Sequence, residues 1–129
     1  MEPSRILIID DNSAILTMLQ QALQLEGYVT HTALNGLEGL ALVKLIKPHL
    51  VLLDQSMPGL TGFEVVRRLQ LTGNTAPIIM VTANDIDRNT VLARGCQDLL
   101  TKPFRLNDLY EIVQRHLQRQ ASCSDCECL

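Results

Sequence analysis

Short aliphatic runs alternate with helix-like segments five times along the chain. The runs at residues 6–9, 50–53 and 78–81 are unbroken, which is typical of strands buried on both faces of a parallel sheet. The runs at residues 29–33 and 99–101 are weaker, and this favours the two edge positions of the same sheet. The pattern therefore predicts five strands, each followed by a helix.

Local sequence signals predict where the helices begin and end. The predicted starts lie near Asn12 or Ser13, at Asn35, at Thr61, after Asp85 and near Leu106, and the last helix extends to about Arg119. Thr61 and Glu64 have the spacing of a capping box, and Gly27 is typical of the residue that follows a helix. Five strand–helix units in a row predict an α/β fold, a three-layer, doubly wound, five-stranded parallel sheet with helices on both faces. The pattern does not fix the order of the strands.

Length and composition narrow the class of protein. The 129 residues suffice for one domain with its own core, which we place at residues 1–119. No apolar run approaches the roughly 20 residues of a transmembrane helix, and the N-terminus lacks the pattern of a secretory signal. We therefore expect a cytoplasmic protein without a membrane partner. The net charge of −3, with no basic cluster beyond Arg67 and Arg68, argues against a nucleic-acid partner.

Residues 120–129 form a separate segment that holds Cys123, Cys126 and Cys128. Cysteines crowded at one end argue against a secreted disulfide framework. Three cysteines lack the fourth ligand of a structural metal site, and Glu127 stands where a prenylation signal has an aliphatic residue. We expect this segment to be a disordered, cysteine-containing tail.

Polar side chains follow the predicted strands at the sheet edge where open α/β proteins bind ligands. They are Asp10, Asp11, Asp54, Thr82 and Lys102. Three carboxylates that meet in one place repel one another, and a divalent cation relieves that repulsion. Oxygen ligands favour a hard ion such as Mg²⁺, while Lys102 and Thr82 are suited to contact phosphoryl oxygens. Such a site suits phosphoryl transfer to a carboxylate nucleophile.

Four motifs in the span 5–119 resemble those of the response-regulator receiver domain family, whose chemotaxis regulators consist of one such domain. They are residues 6–11 (Ile-Leu-Ile-Ile-Asp-Asp), 54–62 (Asp-Gln-Ser-Met-Pro-Gly-Leu-Thr-Gly), 81–83 (Val-Thr-Ala) and 102–104 (Lys-Pro-Phe). Each motif alone is weak, but their order and their positions at strand ends make the combination specific. The resemblance implies a flavodoxin-like strand order, 2-1-3-4-5.

The resemblance also implies which residues bind the phosphoryl group and the metal. Asp54 would accept a phosphoryl group from a histidine kinase or a phosphotransfer protein. Asp11 and Asp54 would contact Mg²⁺ directly, and Asp10 would help to bind it through water. The backbone carbonyl of Ser56 would be a further ligand of the same ion.

Two more residues have a role in the family pattern, and one position departs from it. Lys102 would pair with the phosphoryl group, Thr82 would move toward it, and the peptide bond between Lys102 and Pro103 would be cis. The position of the usual switch aromatic holds Leu99, which cannot hydrogen-bond or stack as a ring does. We expect an altered output surface or a smaller conformational change on phosphorylation.

The predicted function is that of a phosphoacceptor receiver domain in a two-component system or phosphorelay. It would signal through a downstream protein, would be a monomer or weak dimer, and would be no enzyme beyond its own phosphotransfer and dephosphorylation. A free-standing regulator, a phosphorelay intermediate and a receiver cut from a longer protein all fit this prediction. Two alternatives are a pseudo-receiver that binds partners without phosphorylation and a Mg²⁺-dependent phosphatase with an aspartyl nucleophile. Such phosphatases have Asp-x-Asp after the first strand, where this chain has Asp10, Asp11 and Asn12.

The three histidines have no metal-binding spacing. His31, His49 and His116 are far apart in the sequence, and we expect each to be an ordinary, partly exposed side chain. His116 belongs to the stripe of the last predicted helix, which is formed by Leu109, Ile112, Val113, His116 and Leu117.

Overall fold

One parallel sheet forms the centre of the molecule. The structure, a computed structural model, describes residues 3–83 and 86–128, with the side chains of the last helix as far as Leu117. Within these residues the strands are β1 (Arg5–Ile9), β2 (Val29–Ala33), β3 (Leu50–Leu53), β4 (Ile78–Thr82) and β5 (Asp98–Thr101). They lie in the order β2-β1-β3-β4-β5. The predicted α/β fold, the edge positions of β2 and β5 and the strand order implied by the resemblance are confirmed.

The helices follow the strands as the sequence predicts. In the described part of the chain they are α1 (Ser13–Leu25), α2 (Gly36–Ile46), α3 (Gly62–Leu71), α4 (Arg88–Ala93) and α5 (Leu106–Cys128). Asn12 and Asn35 cap α1 and α2, because their side-chain oxygens accept hydrogen bonds from backbone N–H groups of the first turn. The Thr61 hydroxyl accepts from the N–H of Glu64 at 3.3 Å, which confirms the predicted start of α3.

Hydrophobic side chains pack on both faces of the sheet. On one face Ile6 and Ile8 of β1 belong to a core formed with α1 and α5, while on the other face Leu7 and Ile9 belong to a core formed with α2, α3 and α4. Alternate residues of β1 point to opposite faces, and all four are essentially buried because a helix layer covers each face. The layers hold the strand ends in fixed positions, which the site at the sheet edge requires.

The end of α5 differs from the prediction. The pattern places the end of this helix at about Arg119, whereas the backbone is helical through Cys128. Residues 118–128 contain neither glycine nor proline, so no residue there terminates a helix. The domain boundary at residue 119 and the separate character of residues 120–129 stay predictions. Among the described residues, no helix combines the length and the apolar character of a membrane span.

Candidate functional site

The carboxyl ends of the central strands bring the predicted site residues to one edge of the sheet. Ile9 of β1 lies opposite Leu53 of β3, so the next residues, Asp10 and Asp54, are neighbours across the two strands. Thr82 is the last residue of β4 and lies opposite Thr101 of β5, which directly precedes Lys102. The prediction that these side chains converge is confirmed by the sheet register.

Three carboxylates form a cluster at this edge. Asp10, Asp11 and Asp54 each offer an oxygen atom, and these atoms lie within 4.8 Å of one another. Asp10 and Asp54 are buried, whereas Asp11 is exposed, so the cluster opens to solvent on the side of Asp11. Oxygen ligands at such spacing fit a hard divalent cation such as Mg²⁺, which typically takes one or two carboxylates and retains several waters.

Lys102 is the cation that faces these acids. Its Nζ lies 3.1 Å from Oδ2 of Asp10 and 3.9 Å from Oδ1 of Asp54. The ammonium is therefore closer to Asp10 than to Asp54, although the resemblance pairs it with the phosphoryl group. One ammonium does not neutralise three clustered carboxylates, and the site retains an excess of negative charge that favours a bound cation.

The electrostatic surroundings of Asp54 disfavour its ionised form. Burial raises the pKa of Asp54 above its ordinary value, and the negative charge of Asp10 raises it further. Lys102 and a hydrogen bond from the backbone N–H of Ser56 lower the pKa without cancelling this effect. A cation bound among these acids would relieve the repulsion and favour the ionised form of Asp54.

Backbone hydrogen bonds orient the two loops that carry the acids. Oδ1 of Asp10 accepts from the N–H of Asn12 at 2.9 Å, and Asn12 in turn caps α1. In the other loop, Oε1 of Gln55 accepts from the N–H of Phe63 at 2.8 Å. A Cβ atom at Gly62 would lie 2.6 Å from the carbonyl oxygen of Asp54, so only glycine allows this close turn. The hydrogen bond from Asn12 to Asp10 and that from Phe63 to Gln55 are not evident from the sequence, because both depend on how the loops close.

Three further positions belong to the family pattern, namely Thr82, the peptide bond before Pro103 and Leu99. Thr82 is buried at the end of β4, and the peptide bond between Lys102 and Pro103 is cis, as the resemblance implies. Leu99 is half-buried on β5 and packs against the hydrophobic core on the α3 side of the sheet. Its aliphatic side chain therefore fills the space between the sheet and α4 by packing alone.

A second group of charged residues lies at the opposite end of β5 and was not anticipated from the sequence. Asp98, the first residue of β5, has a side chain that is 1% exposed. Its carboxylate lies 3.0 Å from Nη1 of Arg88 on α4, 3.4 Å from Nη1 of Arg115 and 2.8 Å from Nε2 of His116, both on α5. We call these four residues the Asp98 cluster. It connects α4, β5 and α5.

His116 differs from the prediction. The sequence suggests a partly exposed histidine, but the residue is 4% exposed and its ring donates to Asp98. His116 is buried because it belongs to the inward stripe of α5, and the carboxylate supplies the polar partner that a buried ring requires. His31 and His49 are partly exposed, as expected.

Burial and bonding act on Asp98 in opposite directions. Burial alone would raise the pKa of this carboxyl group. The hydrogen bonds from His116 and from the N–H of Leu99, together with the charge of Arg88, outweigh burial, so the pKa of Asp98 is lowered below its ordinary value. Asp98 is thus stabilised in its ionised form.

Comparison with known proteins identifies relatives over nearly the whole chain. The family model of the response regulator receiver domain matches residues 6–114. An uncharacterized transcriptional regulatory protein of Bacillus subtilis, YkoG, is 40% identical over 124 residues, which are 95% of this chain and 54% of that protein. The response regulator MprA of a Mycobacterium species is 40% identical over 119 residues, which are 91% of this chain and 52% of MprA. The chain spans about half the length of these relatives.

Solved structures show the same architecture. A CheY-like response regulator receiver domain protein from Methanospirillum hungatei superposes with a TM-score of 0.88 at 32% identity, covering 94% of this chain and 98% of that one. The response regulator TrrA of Thermotoga maritima, solved in complex with Mg²⁺ and BeF, superposes with a TM-score of 0.80 at 35% identity. That comparison covers 87% of this chain and 97% of TrrA.

Proposed function

The chain belongs to the response regulator receiver domain family of two-component signalling, and on that premise we propose that Asp54 is its phosphoacceptor. The single observation that carries this proposal is the meeting of Asp10, Asp11 and Asp54 around a common centre, with Lys102 beside them. The retained acids and lysine favour this function over that of a pseudo-receiver. The adjacent pair of acids after β1 favours it over an aspartyl phosphatase.

In the proposed reaction an Asp54 oxygen attacks the phosphorus atom of a phosphohistidine on the donor protein. The new O–P bond forms as the P–N bond breaks, and the electron pair returns to the imidazole nitrogen of the donor. Asp54 is ionised for this step, and its backbone hydrogen bond from Ser56 holds the carboxylate in place.

The other site residues have separate roles. We assign Asp10, Asp11, Asp54 and the backbone carbonyl of Ser56 as ligands of Mg²⁺, which when bound would neutralise the carboxylates and the phosphoryl oxygens. The 3.9 Å from Lys102 to Asp54 places an ammonium within reach of an added phosphoryl oxygen. We propose that Thr82, which is buried at the end of β4, moves toward the same group and donates its hydroxyl proton to it.

The family also indicates the kind of partner. Receiver domains of response regulators interact with histidine kinases and with downstream effectors, and they are signalling modules rather than classical enzymes. We propose that this chain receives its phosphoryl group from a histidine kinase or a phosphotransfer protein in the cytoplasm. As a monomer or weak dimer, it would pass the signal to a downstream protein.

The proposal is tested by incubating the chain with acetyl phosphate and Mg²⁺ and measuring its intact mass. We expect one added phosphoryl group, which is lost on chelation of the metal and in Asp54→Asn. Glu26→Gln is the matched control, because it removes one carboxylate at the far end of α1. A phosphoryl adduct that persists in Asp54→Asn, or one that forms equally well with chelator, would overturn the assignment.

A further inference from the structure

A groove runs between α2 and α3 on the side of the molecule away from the acidic site. The two helices approach closely at one end, where a Cβ atom at Gly36 would lie 2.7 Å from a methyl group of Val65. Beyond that contact the helices leave two adjoining hollows of about 400 Å³ each, which share Val43, Lys44 and Thr72 in their walls. The groove is therefore a continuous depression along the last turns of both helices.

The floor of the groove is apolar where it runs between the two helices, and residues 72–76 line its other end. Leu40 and Val43 of α2 and Leu69 of α3 form it, and all three belong to the packing on this face of the sheet. Leu71, at the end of α3, also lines the groove, although 78% of its surface is exposed. Leu71 and the partly exposed Leu40 and Val43 together form an apolar surface, which is typical of surfaces that bind another molecule.

The rim of the groove is positively charged. Lys44, Lys47 and Arg68 line it, and no carboxylate does so among the residues that the structure describes. The guanidinium of Arg5 adds a cation at the end of α2, because it donates to the carbonyl oxygens of Ile46 and Lys47 at 2.9 Å. A positive rim is notable on a chain whose net charge is −3.

We propose that the groove binds an acidic amphipathic helix of a partner protein. Leucine-type side chains of such a helix would contact the floor, and its flanking glutamates would face Lys44, Lys47 and Arg68, which is the helix-in-groove mode of recognition. The charge of the rim selects an acidic partner, while the apolar floor selects a helix over a small anion. This surface is separate from Asp54, so the proposal does not depend on phosphorylation.

The test uses the full chain and two synthetic helical peptides, one with leucines on one face and glutamates on both flanks, the other with lysines in place of the glutamates. Binding is measured by fluorescence anisotropy, and the site is located by amide chemical shifts. We expect the glutamate peptide alone to bind, with shifts concentrated in residues 40–47 and 68–76. Arg68→Glu should lower the affinity for the glutamate peptide about tenfold and should allow the lysine peptide to bind.

Two matched controls distinguish the groove from general attraction. Arg67→Glu makes the same charge change one residue away, but Arg67 lines a different hollow beside Phe63 and Arg94, so it should alter affinity by less than about twofold. Leu71→Ser should lower the affinity for the glutamate peptide, whereas Leu25→Ser, at a similarly exposed leucine of α1, should not. Thermal unfolding of each variant confirms that these exposed substitutions leave the fold intact.

Four results would overturn the proposal. The first is no saturable binding of the glutamate peptide. The second is an equal loss of affinity for the glutamate peptide in Arg67→Glu and Arg68→Glu. The third is full competition by inorganic phosphate or citrate, which would identify a small-anion site. The fourth is a concentration-dependent dimer that Leu71→Ser abolishes, since the groove would then be occupied by a second copy of the chain.

Discussion

Two buried carboxylates at strand ends of the same sheet have opposite electrostatic surroundings. Asp54, at the carboxyl end of β3, has two further acids as neighbours and one ammonium at 3.9 Å. Asp98, at the amino end of β5, has two guanidinium groups and an imidazole within 3.4 Å. The pKa of Asp54 is raised and that of Asp98 is lowered. Burial alone would raise the pKa of both, so the hydrogen bonds and charges around each carboxylate account for the difference.

The comparison separates a site that favours binding from one that favours stability. Around Asp98 the charges are compensated inside the chain, and the cluster gains nothing from an external cation. Around Asp54 the compensation is incomplete, so folding leaves a repulsion that a metal ion can relieve. We therefore expect the repulsion around Asp54 to lower the stability of the fold when no cation is bound, whereas the contacts of Asp98 join α4, β5 and α5.

Removal of the Asp98 charge is expected to have the largest effect. In Asp98→Asn the buried ring of His116 and both guanidinium groups lose their anionic partner, which should lower the free energy of unfolding by about 2–4 kcal/mol. Urea unfolding at neutral pH measures the change. Glu111→Gln, an exposed substitution on α5, serves as the control and should change stability by less than about 0.5 kcal/mol. An unchanged free energy of unfolding in Asp98→Asn would show that the Asp98 cluster makes no net contribution to stability.

The corresponding substitution at Asp54 should act in the other direction. Asp54→Asn removes a charge that the folded state disfavours, so in the presence of chelator it should raise the free energy of unfolding by about 1–2 kcal/mol. The same urea titration measures this gain. A loss of stability in Asp54→Asn would contradict the electrostatic account of the site.

The pH dependence distinguishes the two aspartates further. Because the pKa of Asp54 is raised in the folded state, its unfavourable ionisation disappears as the pH falls toward the ordinary value of 3.8. The gain in free energy of unfolding from Asp54→Asn should therefore shrink as the pH falls from neutral to about pH 4. Because the pKa of Asp98 is lowered, its contribution is complete above 3.8 and is lost only below that value. The loss of unfolding free energy in Asp98→Asn should accordingly persist down to about pH 4. If the effects of the two substitutions on the free energy of unfolding declined in parallel with pH, the opposite pKa shifts of Asp54 and Asp98 would be contradicted.

The smallest effect is expected at the rim of the Asp98 cluster. The side chain of Arg115 is 50% exposed and lies 3.4 Å from Asp98, so water and Arg88 can replace much of its interaction. Arg115→Gln should lower the free energy of unfolding by only about 0.5 kcal/mol. A double-mutant cycle with Asp98→Asn measures the coupling, and a value well above this would show that the cluster acts as one tightly coupled unit.

The same comparison shows what the sequence can reveal. The site around Asp54 was predictable because each of its residues follows a buried strand, and parallel strands end at a common edge. The Asp98 cluster was not, because Asp98 and His116 are 18 residues apart and neither lies in a motif. The position of His116 within the apolar stripe of α5 was the one available sign that this ring is buried.

Other details depend on closure of the chain rather than on local pattern. The hydrogen bond from Phe63 to Gln55 spans eight residues and forms only when the loop after β3 folds back on α3. The groove between α2 and α3 likewise arises from the close approach at Gly36, which no periodicity encodes. Local patterns thus predict elements and their ends, while contacts between elements require the assembled fold.

The position of Lys102 bears on how fast the domain can respond. Its ammonium rests on Asp10 at 3.1 Å and stands 3.9 Å from Asp54, so turns about its own side-chain bonds carry it from one to the other. Turns of a single side chain are faster than collective shifts of helices, which take microseconds to milliseconds. New negative charge on Asp54 would therefore meet its counter-ion before any backbone rearrangement begins, and the electrostatic and mechanical stages of the response would be separate in time.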